Sequence, residues 1–98
     1  MTKYLNLWEM DNSRMPTDPK EQAALLGRLL EMTKKMLDEG QLTEWGVFAD
    51  GSAGYAIGEG TEADMLKRTM SFIPYVKFHI HPILSVEQTA ELVKSMTG

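Results

Sequence analysis

The chain has 98 residues, 43% hydrophobic and 24% charged, with a formal net charge of −4 and no cysteine. That length sets the expectation of one domain, residues 1–98, with a small core of its own, because a chain of this size buries only about 60–65% of its unfolded surface. The acidic balance argues against a nucleic-acid partner, and the lack of cysteine excludes disulfides, thiol nucleophiles and thiolate metal ligands.

Residues 4–10, Tyr-Leu-Asn-Leu-Trp-Glu-Met, alternate and carry aromatics, which predicts a strand. No signal peptide is expected in MTKYLNLWEM, because apolar and polar residues alternate there. No stretch approaches the roughly 18 apolar residues of a membrane span. A soluble cytoplasmic protein with no membrane partner is the expectation.

A loop at 11–17 leads to Asp18-Pro19-Lys20-Glu21, a helix start with Asp18 as cap, Pro19 in the first turn and Glu21 placed for a capping box. Leu26, Leu29, Leu30, Thr33, Met36 and Leu37 then form one stripe, and Gly40 is a left-handed stop, so the helix covers 19–39. Strands at 42–49 and 52–59 flank Asp50-Gly51, a strong hairpin signal. With a two-residue turn there, Gly46 faces Tyr55, Trp45 faces Ala56 and Phe48 faces Ala53. An aromatic across a strand glycine is stabilising, and Gly54 and Gly58 suggest close backbone approach or a bulge.

Thr61 caps a second helix with acids in its first turn and Met65, Leu66, Thr69 and Met70 on its apolar side; Pro74 is expected to end it. The last strand is Tyr75–His81, closed by Pro82, and Ser85 opens a short C-terminal helix. The order strand, helix, strand, strand, helix, strand, with right-handed crossovers, predicts an α+β fold. Its expected form is the ferredoxin-like βαββαβ, a four-stranded antiparallel sheet in the order 4-1-3-2 with two helices on one face and a short C-terminal helix.

Alternation then assigns faces. Val76, Phe78 and Ile80 are expected to meet the helices together with Leu5 and Leu7. Tyr4, Asn6, Trp8, Met10, Tyr75, Lys77, His79 and His81 are left on the open face; the hairpin is ambiguous. That face mixes contiguous apolar surface with polar groups. A second copy of the sheet across a two-fold axis resolves the conflict and encloses a part-polar, part-aromatic cavity, so the expected partners are a second copy of the chain and a small molecule. A monomer whose tail helix covers the face is the alternative.

Several stretches carry a family likeness: the long first helix ending in Glu39-Gly40, the hairpin with Trp45 and Tyr55-Ala56-Ile57, the acidic helix start after Gly60, and "FIPYVKFHIHP" at 72–82. On these, residues 4–83 resemble the dimeric α+β barrel superfamily, within it the muconolactone isomerase-like branch of small proteins. The resemblance implies a homodimer with a cavity for a small aromatic or carboxylic molecule and proton-transfer, isomerase-like chemistry. On the hairpin, Glu44, Gly46 and Val47 stand where basic and histidine residues of such an isomerase are expected.

His79 and His81 are the two histidines of the chain. They lie about 6.6 Å apart along the strand on one face, and they are the acid/base candidates at neutral pH. Asn6, Trp8, Tyr75, Lys77, Glu44 and Tyr55 are the candidate ligand-binding residues. Two imidazoles fall short of the usual ligand set of a metal site, and the strand order leaves no carboxylate near them within one subunit. No metal and no cofactor are therefore expected. Histidines that merely line an interface, in a module without catalysis, are the competing reading. Gly58-Glu59-Gly60 is not a phosphate loop, since it sits at a strand end with no flanking lysine.

Overall fold

A computed structural model describes residues 2–98. Strand β1 (Thr2–Met10) is followed by a short 3₁₀ turn (Asn12–Arg14) and helix α1 (Pro19–Asp38). The hairpin β2 (Leu42–Val47) and β3 (Ala53–Gly60) leads to α2 (Glu62–Met70), β4 (Val76–Ile83) and α3 (Val86–Thr97). The antiparallel strands lie in the order β2-β3-β1-β4; read from the other edge this is β4-β1-β3-β2. Among the described residues, no helix is long and apolar enough to cross a membrane.

Local chemistry accounts for most of these boundaries. Gly40 takes a φ of 77° just past α1, the left-handed stop that a residue without Cβ permits. Thr61 and Asp64 form a reciprocal capping box at α2. The Thr61 backbone N–H, which donates to Asp64 Oδ2 at 3.0 Å, and the Thr61 side chain beside it hold that carboxyl below the usual carboxylate range. Ser85 and Gln88 do the same for α3. Asp18, by contrast, flanks α1 without a side-chain capping bond; instead Gln22 Nε2 donates to the Pro16 carbonyl at 2.6 Å and ties the entry loop to the first turn.

Three sequence expectations are corrected. Asp50-Gly51 does not form a two-residue turn. Gly51 N–H donates to the Phe48 carbonyl at 2.8 Å, so Ala49 and Asp50 are the central residues and Gly51, with φ 86°, turns the chain back. The pairing register survives, with Gly46 opposite Tyr55 and Trp45 opposite Ala56, and the irregularity falls at Thr43, between Leu42 and Glu44. Helix α2 stops at Met70, before Pro74; the Ile73–Pro74 peptide is cis. Pro82 lies inside β4 rather than closing it, which an edge strand tolerates because an unpaired outer side needs no N–H donor.

The largest correction concerns which side of β1 meets the helices. Trp8 lies opposite Phe78, Asn6 opposite Ile80 and Met10 opposite Val76, and residues directly opposite share a face. Tyr4, Asn6, Trp8 and Met10 therefore join Val76, Phe78 and Ile80 under the helices, and Leu5 and Leu7 take the open face. The reason lies on β3. Its residues opposite Trp8, Asn6 and Tyr4 are Gly54, Ala56 and Gly58, a hollow that accommodates the bulky side of β1. Leu5 and Leu7 lie opposite Ile57 and Tyr55, on the fuller side of the strand.

Leu25, Leu29, Phe72 and Val76 form the buried cluster, with Trp8, Met10, Met36, Tyr75 and Phe78 packed against it. Tyr75 thus belongs to the core side and precedes β4. Met65 is fully buried, whereas Met70, Leu66, Leu26 and Leu30, expected on apolar stripes facing the sheet, are exposed. None of α3 is buried.

Candidate ligand cavity

Helices α1 and α2 sit over the same face of the sheet with a gap between them. The gap is a cavity of about 250 Å³. Its floor is Asn6, Trp8, Ala56 and Phe78; α1 contributes Leu29, Thr33 and Met36, and α2 with its following turn contributes Arg68, Thr69 and Phe72. Leu26 and Leu30 line the mouth and are about half exposed, so the cavity opens between the helices.

Two aromatic pairs shape the walls. The indoles of Trp8 and Trp45 stack with centroids 5.5 Å apart and planes 7° from parallel. Phe72 and Phe78 meet edge to face at 5.8 Å and 66°. The Trp8 ring lies so close over Gly54 that a Cβ there would strike the indole and the Gly46 carbonyl. Glycine at 54 thus allows the ring to lie flat on the strand and turn its face to Trp45.

The polar groups of the cavity divide into two kinds. The Thr33 hydroxyl donates to the Leu29 carbonyl at 3.0 Å, and the Thr69 hydroxyl to the Leu66 carbonyl at 2.9 Å. Arg68 Nη1 donates to the carbonyls of Gln41 and Glu59 at 3.1 and 3.0 Å. This guanidinium pins α2 to the start of β2 and the end of β3. Asn6 Oδ1 and Trp8 Nε1 are different: both are buried and neither has a hydrogen-bond partner. An unpaired buried polar group costs about 1–3 kcal/mol, and two on neighbouring same-face positions of one strand call for an explanation.

The remaining sequence candidates, Tyr75 apart, lie on the opposite side of the sheet. His79 and His81 are exposed on β4, opposite Leu7 and Leu5, with Lys77 opposite Glu9. Glu44 and Tyr55 are joined on this face by a hydrogen bond from the phenol to the carboxylate at 2.9 Å. That bond, with burial and the carboxylate's charge, raises the phenol above its usual pKa. Lys3 and Glu59 form a cross-strand ion pair at 3.9 Å. Of the candidate residues, then, only Asn6 and Trp8 line the cavity. Tyr75 packs on the core, and the histidines, Lys77, Glu44 and Tyr55 share the open face. Among the described residues, no group of three or more histidine and carboxylate side chains is placed to hold a metal ion.

Sequence reasoning missed the α2 contribution, Arg68 and Phe72, and the role of Ala56. The signal was present in Gly54-Tyr55-Ala56-Ile57-Gly58, where every second residue is small.

A family model described as a domain of unknown function, DUF3303, matches residues 2–97. No curated protein matches the chain.

Proposed function

The chain belongs to the DUF3303 family, and from the geometry above we propose that it is a binding domain for a small aromatic molecule, held between the helices and the sheet. The observation that carries this reading is the cavity itself. It is concave, aromatic-walled and largely apolar, with a few polar groups at its floor, which is the usual make-up of a small-molecule site. Its lining offers no histidine or carboxylate side chain suited to proton transfer, and Arg68 is engaged by two carbonyls. The acid/base candidates His79 and His81 lie across the sheet. Binding without catalysis therefore fits better than isomerase-like chemistry, and no cofactor is required.

The test is a thermal-unfolding screen against small aromatic and carboxylic compounds, using wild type and Ala56→Leu. Ala56 is buried on the cavity floor, so a leucine there fills part of the space. An aromatic compound that raises the wild-type midpoint and leaves the variant unchanged supports the reading. A compound that raises both equally contradicts it.

The uncovered side of the sheet supports a second proposal, pairing with another copy. Leu5, Leu7, Tyr55, Ile57 and Ile83 are only half-buried there, ringed by Lys3, Glu9, Lys77 and the histidines. Two such faces related by a two-fold axis bury their apolar centres and leave their charged rims wet. In that arrangement the βαββαβ order and the shared helix face make each copy a ferredoxin-like half of a dimeric α+β barrel. The muconolactone isomerase-like likeness then concerns scaffold rather than reaction.

A further inference from the structure

We infer that the molecule bound in this cavity carries a neutral hydroxyl on a fused aromatic frame, and that Asn6 and Trp8 read that hydroxyl together; the inference rests on the binding role proposed above. Asn6 and Trp8 are two residues apart on one face of β1, so their Cα atoms are about 6.6 Å apart, close enough for one small group to meet both side chains. Asn6 is only 6% exposed, and its carboxamide oxygen is a buried acceptor without a donor. Trp8 Nε1–H is a buried donor without an acceptor. A carboxamide oxygen can only accept and an indole N–H can only donate. A hydroxyl does both, and after a modest turn of the carboxamide it pairs with each.

Two other common substituents of an aromatic ring meet one group at most. A methyl group leaves both unpaired. An ionised carboxylate accepts from Trp8 but sets its charge against the Asn6 oxygen, and Arg68, the cation of the lining, already donates through Nη1 to two carbonyls. The frame follows from size and walls. A cavity of about 150 Å³ lined by apolar side chains holds benzene; this one is about 250 Å³, room for two fused rings. The Trp8–Trp45 and Phe72–Phe78 pairs give those rings flat and edge contacts.

Three probes of matched shape separate the possibilities: 2-naphthol, 2-methylnaphthalene and 2-naphthoate. Each is titrated into the ¹⁵N-labelled full chain while the two tryptophan indole N–H signals are followed. The expected result is that 2-naphthol binds at least about tenfold more tightly than the other two. It moves the Trp8 indole proton downfield, as a new hydrogen bond does, and 2-methylnaphthalene does not. Asn6→Leu should abolish that preference while 2-methylnaphthalene still binds, and Trp8→Phe provides the same test from the donor side if the first variant does not fold. Equal binding of 2-naphthol and 2-methylnaphthalene with an unmoved indole signal would overturn the hydroxyl and leave the cavity reading standing. Preference for 2-naphthoate, or a naphthol preference that survives both substitutions, would also overturn it. Failure of all three probes to bind would overturn the cavity reading together with the hydroxyl.

Discussion

At the scale of single residues, a small side chain decides where a large one goes. Gly54 is the clearest case. A Cβ there meets Trp8 Cε2 at 2.6 Å and runs into the backbone carbonyl of Gly46, a rigid neighbour that cannot step aside as a flexible side chain can. Gly54→Ala is therefore predicted to destabilise the domain by about 2–3 kcal/mol, in the overpacking range. The loss is read as a fall in the urea midpoint at constant slope. The same substitution should weaken the near-ultraviolet circular dichroism of the Trp8–Trp45 pair, because the indole must lift off the strand. A variant as stable as wild type, with that signal intact, would show that β1 and β3 do not approach as described. Gly46 repeats the device on the opposite face, where the Tyr55 ring covers the position its Cβ would occupy.

At the scale of elements, the legibility of the sequence tracked how local the determining chemistry is. Helix α1 is readable from its proline and stop glycine, though not from a capping box at Asp18 and Glu21, which does not form, and the start of α2 from the Thr61 box, because such signals act within one turn. The hairpin pairing was readable from Asp50-Gly51, although the turn itself is wider than that dipeptide implies. The face of β1 was not readable from β1 alone. Leu5 and Leu7 on one side and Tyr4, Trp8 and Met10 on the other are both apolar, so alternation does not choose between them. The choice is made by Gly54, Ala56 and Gly58 on the neighbouring strand, a non-local complement. Asn6 and Trp8 are candidate ligand residues on both readings, but alternation assigns them to the open face and the strand pairing to the helix face. Helix α3 shows the same limit. Val86, Val93 and Met96 form an amphipathic stripe and stay exposed at 81%, 53% and 77%, so its capping box secures the helix locally without saying what it packs against. An isolated helix of this length is marginal in water. We predict that amide exchange of residues 86–97 is fast in dilute protein and slows as concentration rises, if the pairing proposed through the sheet extends over the stripe. Concentration-independent exchange would count against that pairing.

At the scale of the whole molecule, the sheet separates two chemistries. One side carries two splayed helices and an aromatic cavity with an unmatched acceptor and donor. The other carries the histidines, an ion pair and a half-buried apolar centre that, among the described residues, no helix covers. We place the ligand on the first side. Intermolecular nuclear Overhauser effects between bound 2-naphthol and the methyl groups of the chain test that placement most directly. Contacts to Thr33, Met36 and Ala56, which line the cavity, are expected. Contacts to Leu5, Leu7 and Ile57 instead would put the ligand on the open face beside the histidines and contradict the placement.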